Sequence, residues 1–128
     1  MARAPEGILC SKTHEWILDN GDNTFTIGLT DYAVEQLGDI VFVELPEVDG
    51  EYQKDEFFAT IESVKAASEI YMPVAGKIIE INEKLINSPE TVNEDVWGSG
   101  WLVKIEASNW QEDSIGLLEY EDYKEELE

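Results

Sequence analysis

The sequence predicts a mainly β protein, a small flattened barrel or sandwich with a few short helices. Three observations predict it. Apolar and polar residues alternate over short runs such as 24–29 and 57–62, the period of strands half-buried in a sheet. Gly, Asn, Asp and Pro separate those runs at short intervals, which punctuates them with turns. A faint internal repeat relates the halves: Gly38-Asp39-Ile40-Val41 resembles Gly76-Lys77-Ile78-Ile79, and Phe58-Ala59-Thr60-Ile61-Glu62-Ser63 resembles Leu102-Val103-Lys104-Ile105-Glu106-Ala107. Two half-units related in this way pair into a barrel or sandwich. The 128 residues make one domain, 1–128, with a core over 9–107 and a C-terminal helical segment over 108–127.

Taken in order, residues 1–12 read as a loose lead-in, and 13–18 as a first strand. The pentad 19–23 is a turn in which Gly21 or an Asn accepts positive φ, so 24–29 returns as the second arm of a hairpin. Thr30 or Asp31 caps a short helix with Ala33, Val34 and Leu37 on its inner face and Gly38 closing it. Residues 40–45 are apolar on both sides apart from Glu44, which predicts a central strand. A loop over 46–55 leads to a strand at 57–62. After a turn, 70–74 descends, Ala75-Gly76 redirects the chain, and 77–81 is a further strand. Residues 82–99 are polar loops with one helical turn near Leu85. The last strand is 101–105. Ser108 with Gln111 forms a capping-box pattern that opens a helix through 118. Tyr120, Tyr123 and Leu127 continue at helical spacing, as a second short helix or a bent continuation.

Between 57–62 and 70–74 lies one lysine, Lys65, among Ser63, Val64, Ala66, Ala67 and Ser68. The turn lacks the Asn-Gly or Asp-Gly of a tight hairpin. Small residues surround the lysine instead, and the rest of the chain reads as a frame that holds it out for modification.

Composition excludes several functions. Twenty-nine acids against eight bases give a net charge of -21, which repels nucleic acid and anionic membranes. The same field draws basic surfaces of other proteins. It is densest over 106–128, where nine acids face one base, Lys124. The single cysteine, Cys10, admits no internal disulfide, and no CxxC pair exists; it reads as inert. No apolar run is long enough to span a bilayer. The first seven residues lack a signal-peptide core and an arginine-rich transit character. The expected location is therefore the cytoplasm, a mature mitochondrial form staying open because a removed presequence leaves no trace.

No catalytic set emerges. His14 is the only histidine, and without a second group beside it a nucleophile–base pair is hard to build; it reads as a structural or rim residue. Gly98 and Gly100 mark a bend before a strand and make no phosphate loop. Carboxylate pairs are too common here to discriminate anything. A Schiff-base lysine needs a desolvated amine, whereas Lys65 sits at a wet crest. Its acylation by another enzyme remains chemically open. No metal-ligand cluster is visible.

Glu62-Ser63-Val64-Lys65-Ala66-Ala67-Ser68-Glu69-Ile70 resembles the lipoylation site of the glycine cleavage H-protein family. Thr13-His14-Glu15-Trp16, Ile27-Gly28-Leu29-Thr30-Asp31-Tyr32-Ala33, the stretch Leu37-Gly38-Asp39-Ile40-Val41-Phe42-Val43-Glu44-Leu45-Pro46, Pro73-Val74-Ala75-Gly76 and Gly98-Ser99-Gly100-Trp101-Leu102 resemble it as well. The likeness covers 9–127 in order. Related lipoyl domains of 2-oxoacid dehydrogenases carry Asp-Lys-Ala at this turn, and biotin carriers Met-Lys-Met.

The resemblance implies the biotinyl/lipoyl carrier fold, a hybrid barrel-sandwich of two antiparallel sheets, and a carrier rather than an enzyme. Lipoic acid would be joined covalently to Lys65 by a lipoate-attaching enzyme. The pyridoxal-phosphate P-protein would decarboxylate glycine and load the aminomethyl group. The T-protein would pass the one-carbon unit to tetrahydrofolate, and the L-protein (dihydrolipoyl dehydrogenase) would reoxidise the dithiol. The domain supplies tethering and high local concentration. The loaded arm hydrolyses in water, and in the family it folds into a cleft on the body. By motif match the cleft residues are Thr13, Glu15, Gln36 and Glu69, with Glu15 as partner of the arm's ammonium. Gln36 stands where a histidine is frequent, and Glu69 where aspartate is. Two other functions share these residues: a scaffold relaying lipoyl groups to other complexes, and an acidic interaction module whose Lys65 is never modified.

Overall fold

In the computed structural model, which describes residues 4–127, the alternating runs become strands of two antiparallel sheets. The elements in chain order are β1 (Leu9–Cys10), β2 (Glu15–Gly21), β3 (Thr24–Leu29), α1 (Asp31–Leu37), β4 (Ile40–Glu44), β5 (Glu51–Tyr52), β6 (Phe57–Ser63), β7 (Ala67–Tyr71) and β8 (Gly76–Ile81). After them come α2 (Lys84–Asn87), α3 (Thr91–Glu94), β9 (Val103–Ala107), α4 (Trp110–Asp113), a 3-10 turn at Ser114–Gly116, β10 (Leu118–Glu119) and α5 (Tyr120–Leu127). The larger sheet runs β10-β1-β2-β3-β9-β8-β5 and the smaller β4-β6-β7. Neither closes into a barrel. Trp16, Phe25, Ile27, Leu29, Ile61, Met72, Ile78, Leu102 and Ile105 are buried almost completely in the core, where each removes its apolar surface from water.

Local chemistry explains the better-read elements. Gly21, Asp22 and Asn23 take positive φ in the β2–β3 turn. Thr30 caps α1, its hydroxyl accepting from the Ala33 N–H at 3.2 Å, and Gly38 ends the helix at φ 78° with its N–H donated to the Val34 carbonyl. The repeated segments also find each other: β4 pairs with β6 in the small sheet, β8 with β9 in the large one.

Elsewhere tertiary pairing overrides the local pattern. The lead-in contains a strand, because β1 lies between β2 and β10, with Ile8 and Cys10 buried. Residues 40–45 do not form a central strand. β4 is an edge strand, and an irregularity between Ile40 and Phe42 turns Val41 and Phe42 outward, both about half exposed. The descending strand starts at Ala67 and ends at Tyr71 instead of covering 70–74, and the last strand of the repeat shifts to Val103–Ala107. The polar stretch 82–99 holds two short helices, α2 and α3.

The helix expected over 108–118 is broken. Trp110 stacks on Phe25 with ring centroids 4.2 Å apart, and the Asp113 carboxylate accepts from the Ala75 N–H at 2.9 Å. Ser108 does not cap; Asn109 precedes the helix and donates to the Glu112 carboxylate. The chain then leaves the helical path to add β10 to the sheet.

Candidate functional site

β6 and β7 pair through Glu62↔Ala67, which leaves residues 63–66 as the turn. A serine builds it. The Ser63 hydroxyl oxygen accepts from the N–H of Lys65 at 3.2 Å and of Ala66 at 3.1 Å, and the Ser63 N–H donates to the Ala66 carbonyl at 2.8 Å. This is a side-chain-stabilised turn, which replaces the glycine a tight hairpin would need. The Val64 N–H donates to the Asp39 carbonyl at 3.1 Å and pins the crest to the chain after α1. Val64, Lys65, Ala66 and Ala67 are exposed.

The lysine's stem has a prepared path. A Cβ on Gly38 would stand 3.1 Å from the Lys65 Cε and 3.7 Å from its Nζ, so the missing side chain leaves room for the stem along the end of α1. Gly38 thus does two things, since its backbone conformation (φ 78°, ψ -148°) also lies where other residues are strained.

Behind the turn is a cavity of about 150 Å³, bounded by Thr13 and His14, by Tyr32 and Gln36 of α1, and by Ser68 and Glu69 of β7. Three of the four residues expected at the arm cleft, Thr13, Gln36 and Glu69, therefore share one cavity. Glu15 does not line it. It is fully buried beneath, and its Oε1 accepts from the hydroxyls of Ser11 at 2.6 Å and of Thr13. Among the described residues Oε2 accepts one hydrogen bond, from the Tyr71 N–H at 3.4 Å. Among the described residues no cation lies within ion-pair distance of this carboxylate. Burial pushes its pKa up, and the Asp55 charge adds to that, against the lowering effect of the hydrogen bonds from Ser11, Thr13 and Tyr71. A buried carboxylate with one under-coordinated oxygen is a natural seat for an incoming cation. Tyr71 bridges to the cavity wall, donating its hydroxyl to Glu69 Oε1 at 3.2 Å.

Cys10 and His14 are each held by their surroundings. Cys10 is fully buried, and its thiol is pushed up to about 12 by burial and by the Asp31 charge, so it carries no thiolate at neutral pH. His14 has backbone φ 76°, and its Nδ1 lies 2.7 Å from the Tyr123 hydroxyl. Burial lowers its pKa, which favours the neutral imidazole. No group of three metal-type ligands occurs among the described residues. Among the described residues no helix is long and apolar enough to cross a membrane. A larger cavity, about 870 Å³ between 4–8 and the start of α5, contains none of the residues expected at the site.

A lysine shown to solvent on a clamped turn, with a small cleft behind it, is the arrangement of a carrier module. The comparisons with known proteins name the family. The chain matches the model described as Glycine cleavage H-protein over residues 8–128, and it belongs to that family. It is 51% identical to the glycine cleavage system H protein of Halothermothrix orenii over 126 residues, covering 97% of this chain and 98% of the relative. The H protein of Pseudoalteromonas translucida is 50% identical over 123 residues, 96% of this chain and 95% of that one. Among solved structures, a glycine cleavage system H protein from Mycobacterium marinum superposes with a TM-score of 0.84 at 31% identity, covering 96% of this chain and 98% of that one.

The chain's residues fit a lipoyl arm on physical grounds. The crest amine is accessible, Gly38 leaves space along the stem, and a cavity near 150 Å³ is about the size that holds one small ring. Three residues of the site carry weight that sequence reasoning did not assign. Ser63 had a local signal, a turn-forming hydroxyl two residues before the lysine. The second duty of Gly38 and the contact of Tyr123 with His14, across 109 positions, had none.

Proposed function

We propose that this chain is the lipoyl-carrying shuttle of glycine cleavage, holding lipoic acid in amide linkage to Lys65 Nζ. In this reading it receives the aminomethyl group of glycine from the P-protein and delivers it to the T-protein, while the L-protein restores the disulfide. The bound arm supplies the redox-active sulfurs that a chain with one buried thiol lacks. Every other part belongs to the protein. The Ser63 turn presents the amine to a lipoate-attaching enzyme, and the bond from the Val64 N–H to the Asp39 carbonyl anchors the crest. Thr13, Gln36 and Glu69 place polar groups on a cleft that Leu29, Ala33, Leu37 and Ile70 also line. Glu15 contributes the negative charge that offsets desolvation of an ammonium drawn in from the cleft, and water excluded there slows hydrolysis. The net charge of -21 favours fast encounter with basic faces of the partner enzymes. The bacterial relatives and the single buried cysteine support action in the cytoplasm.

The observation that carries the proposal is Lys65 itself, held out on a turn made by its neighbours' backbone and one serine. The test is reconstitution with P-protein, pyridoxal phosphate and glycine, using protein purified from lipoate-supplied cells. Wild type supports decarboxylation. Lys65→Arg keeps its charge, circular dichroism and melting temperature but gives no activity above the no-carrier control. Decarboxylation undiminished in Lys65→Arg would sink the proposal.

A further inference from the structure

We infer that Tyr123 is a positioning residue for the cleft: from the last helix, its one hydroxyl ties His14, which lines the cleft, to the cap of α1, a helix that lines it too, and fixes which ring nitrogen of His14 bears the proton. The inference rests on the carrier reading for what the cleft holds, but its geometry stands apart from that reading.

Tyr123 is buried, and its hydroxyl lies 2.7 Å from His14 Nδ1 and 2.8 Å from the Thr30 hydroxyl. His14 lines the cleft directly. Thr30 reaches the cleft through the helix it caps, because α1 carries Tyr32, Ala33 and Gln36 on the cavity. Tyr120, three residues earlier, donates its hydroxyl at 2.6 Å to Asp31, whose other oxygen accepts from the Tyr32 N–H at 2.9 Å. Two phenols of α5 therefore hold the first turn of α1, and one of them also holds His14.

Proton accounting fixes the direction of the chain. The Thr30 oxygen accepts from the Ala33 N–H. Thr30 is fully buried, and the Tyr123 oxygen is the acceptor its own proton reaches. Tyr123 then donates to Nδ1, which must be unprotonated, so the imidazole proton resides on Nε2. The lowered pKa of His14 agrees with a neutral ring. His14 enters this arrangement from a left-handed backbone (φ 76°), a conformation disfavoured for a residue with a Cβ. Its N–H donates to the Ser11 carbonyl, its carbonyl accepts from the Thr30 N–H, and the Tyr123 hydroxyl sets the ring. A residue that lines the cleft is thus held as a neutral imidazole protonated on Nε2.

Tyr123→Phe tests this, because it keeps the ring and removes the hydroxyl. In unlipoylated wild type, ¹⁵N spectra of labelled histidine should show Nδ1 as the bare nitrogen and Nε2 as the protonated one. In Tyr123→Phe that preference weakens. In the lipoylated protein, hydrolytic loss of the aminomethyl group should speed up about fivefold, the weight of one neutral hydrogen bond, while attachment at Lys65 keeps its wild-type rate. A protonated Nδ1 in wild type overturns the inference without touching the carrier reading. So does an unchanged lifetime of the loaded form. Attachment falling in step with the lifetime would mean general loosening and would also overturn it. Absence of any arm on Lys65 defeats the carrier reading, yet leaves the histidine spectrum to decide the tie.

Discussion

The lysine turn is set within residues 63–66, with one bond from outside, to the Asp39 carbonyl. The cleft behind it draws on Thr13 and His14, on α1 and on β7, with Glu15 buried beneath it and Tyr123, from the far end of the chain, bonded to His14. Presenting an amine requires only a local device that keeps it in water. Sheltering a charged, hydrolysable load requires walls from distant segments, because one strand or helix cannot enclose a volume. The same chain thus holds a part that its neighbours specify and a part that only the whole fold specifies.

Substitutions can separate the two parts. Gly38→Ala has the largest expected effect on stability, a loss of about 1–3 kcal/mol, because positive φ with ψ near -148° is a glycine conformation and the added Cβ presses on the Lys65 stem. Chemical denaturation measures it, and a change within error would mean that neither the backbone nor the stem is constrained there.

Glu15→Gln acts from beneath the cleft. The buried carboxylate becomes a neutral amide of the same shape, so the aminomethyl-loaded form should hydrolyse about tenfold faster, the scale of one lost charge-assisted hydrogen bond. The pH dependence carries its own sign. Glu15 has a folded-state pKa above the ordinary glutamate value, so in the unloaded domain it contributes stability below that ordinary value. The contribution is lost as pH rises through the raised one. Retention of a cation runs the other way, since it needs the ionised carboxylate and weakens as pH falls through the raised pKa. Lifetimes measured across that window should fall with pH in wild type and stay flat in Glu15→Gln; parallel profiles would contradict the assignment.

Ser63→Ala is the smallest change. It removes the acceptor of two N–H groups that lie at the edge of solvent, and should lower stability by about 1 kcal/mol. Attachment at Lys65 should slow because the crest samples other shapes, while the lifetime of an already loaded arm stays as in wild type. A shortened lifetime would show that turn and cleft are not separable.

This division also governs what was legible from sequence. The β6–β7 hairpin, the Thr30 cap and the Gly38 stop were readable because each depends on residues a few positions apart. The strand at Leu9–Cys10 was not, because its meaning lies in Leu118–Glu119 at the other end. The Ser108–Gln111 pattern pointed to a longer helix, and the stacking of Trp110 on Phe25 outweighed it. At the site, Thr13, Gln36 and Glu69 were named by motif likeness and share one cavity. Alternation gave no hint that Glu15 would lie wholly under the wall without a counter-ion, since a lone glutamate entering a strand reads equally well as exposed. The histidine's link to Tyr123 was invisible because no pattern spans that distance.

The most direct test of the central claim, that Lys65 is where this protein carries its arm, is the mass of its proteolytic peptides after growth with lipoate. The peptide containing Lys65 should be heavier by one lipoyl group, with every other lysine peptide unmodified. A lipoyl mass on any other lysine, or an unmodified Lys65 in cells that lipoylate their other carriers, would contradict the account.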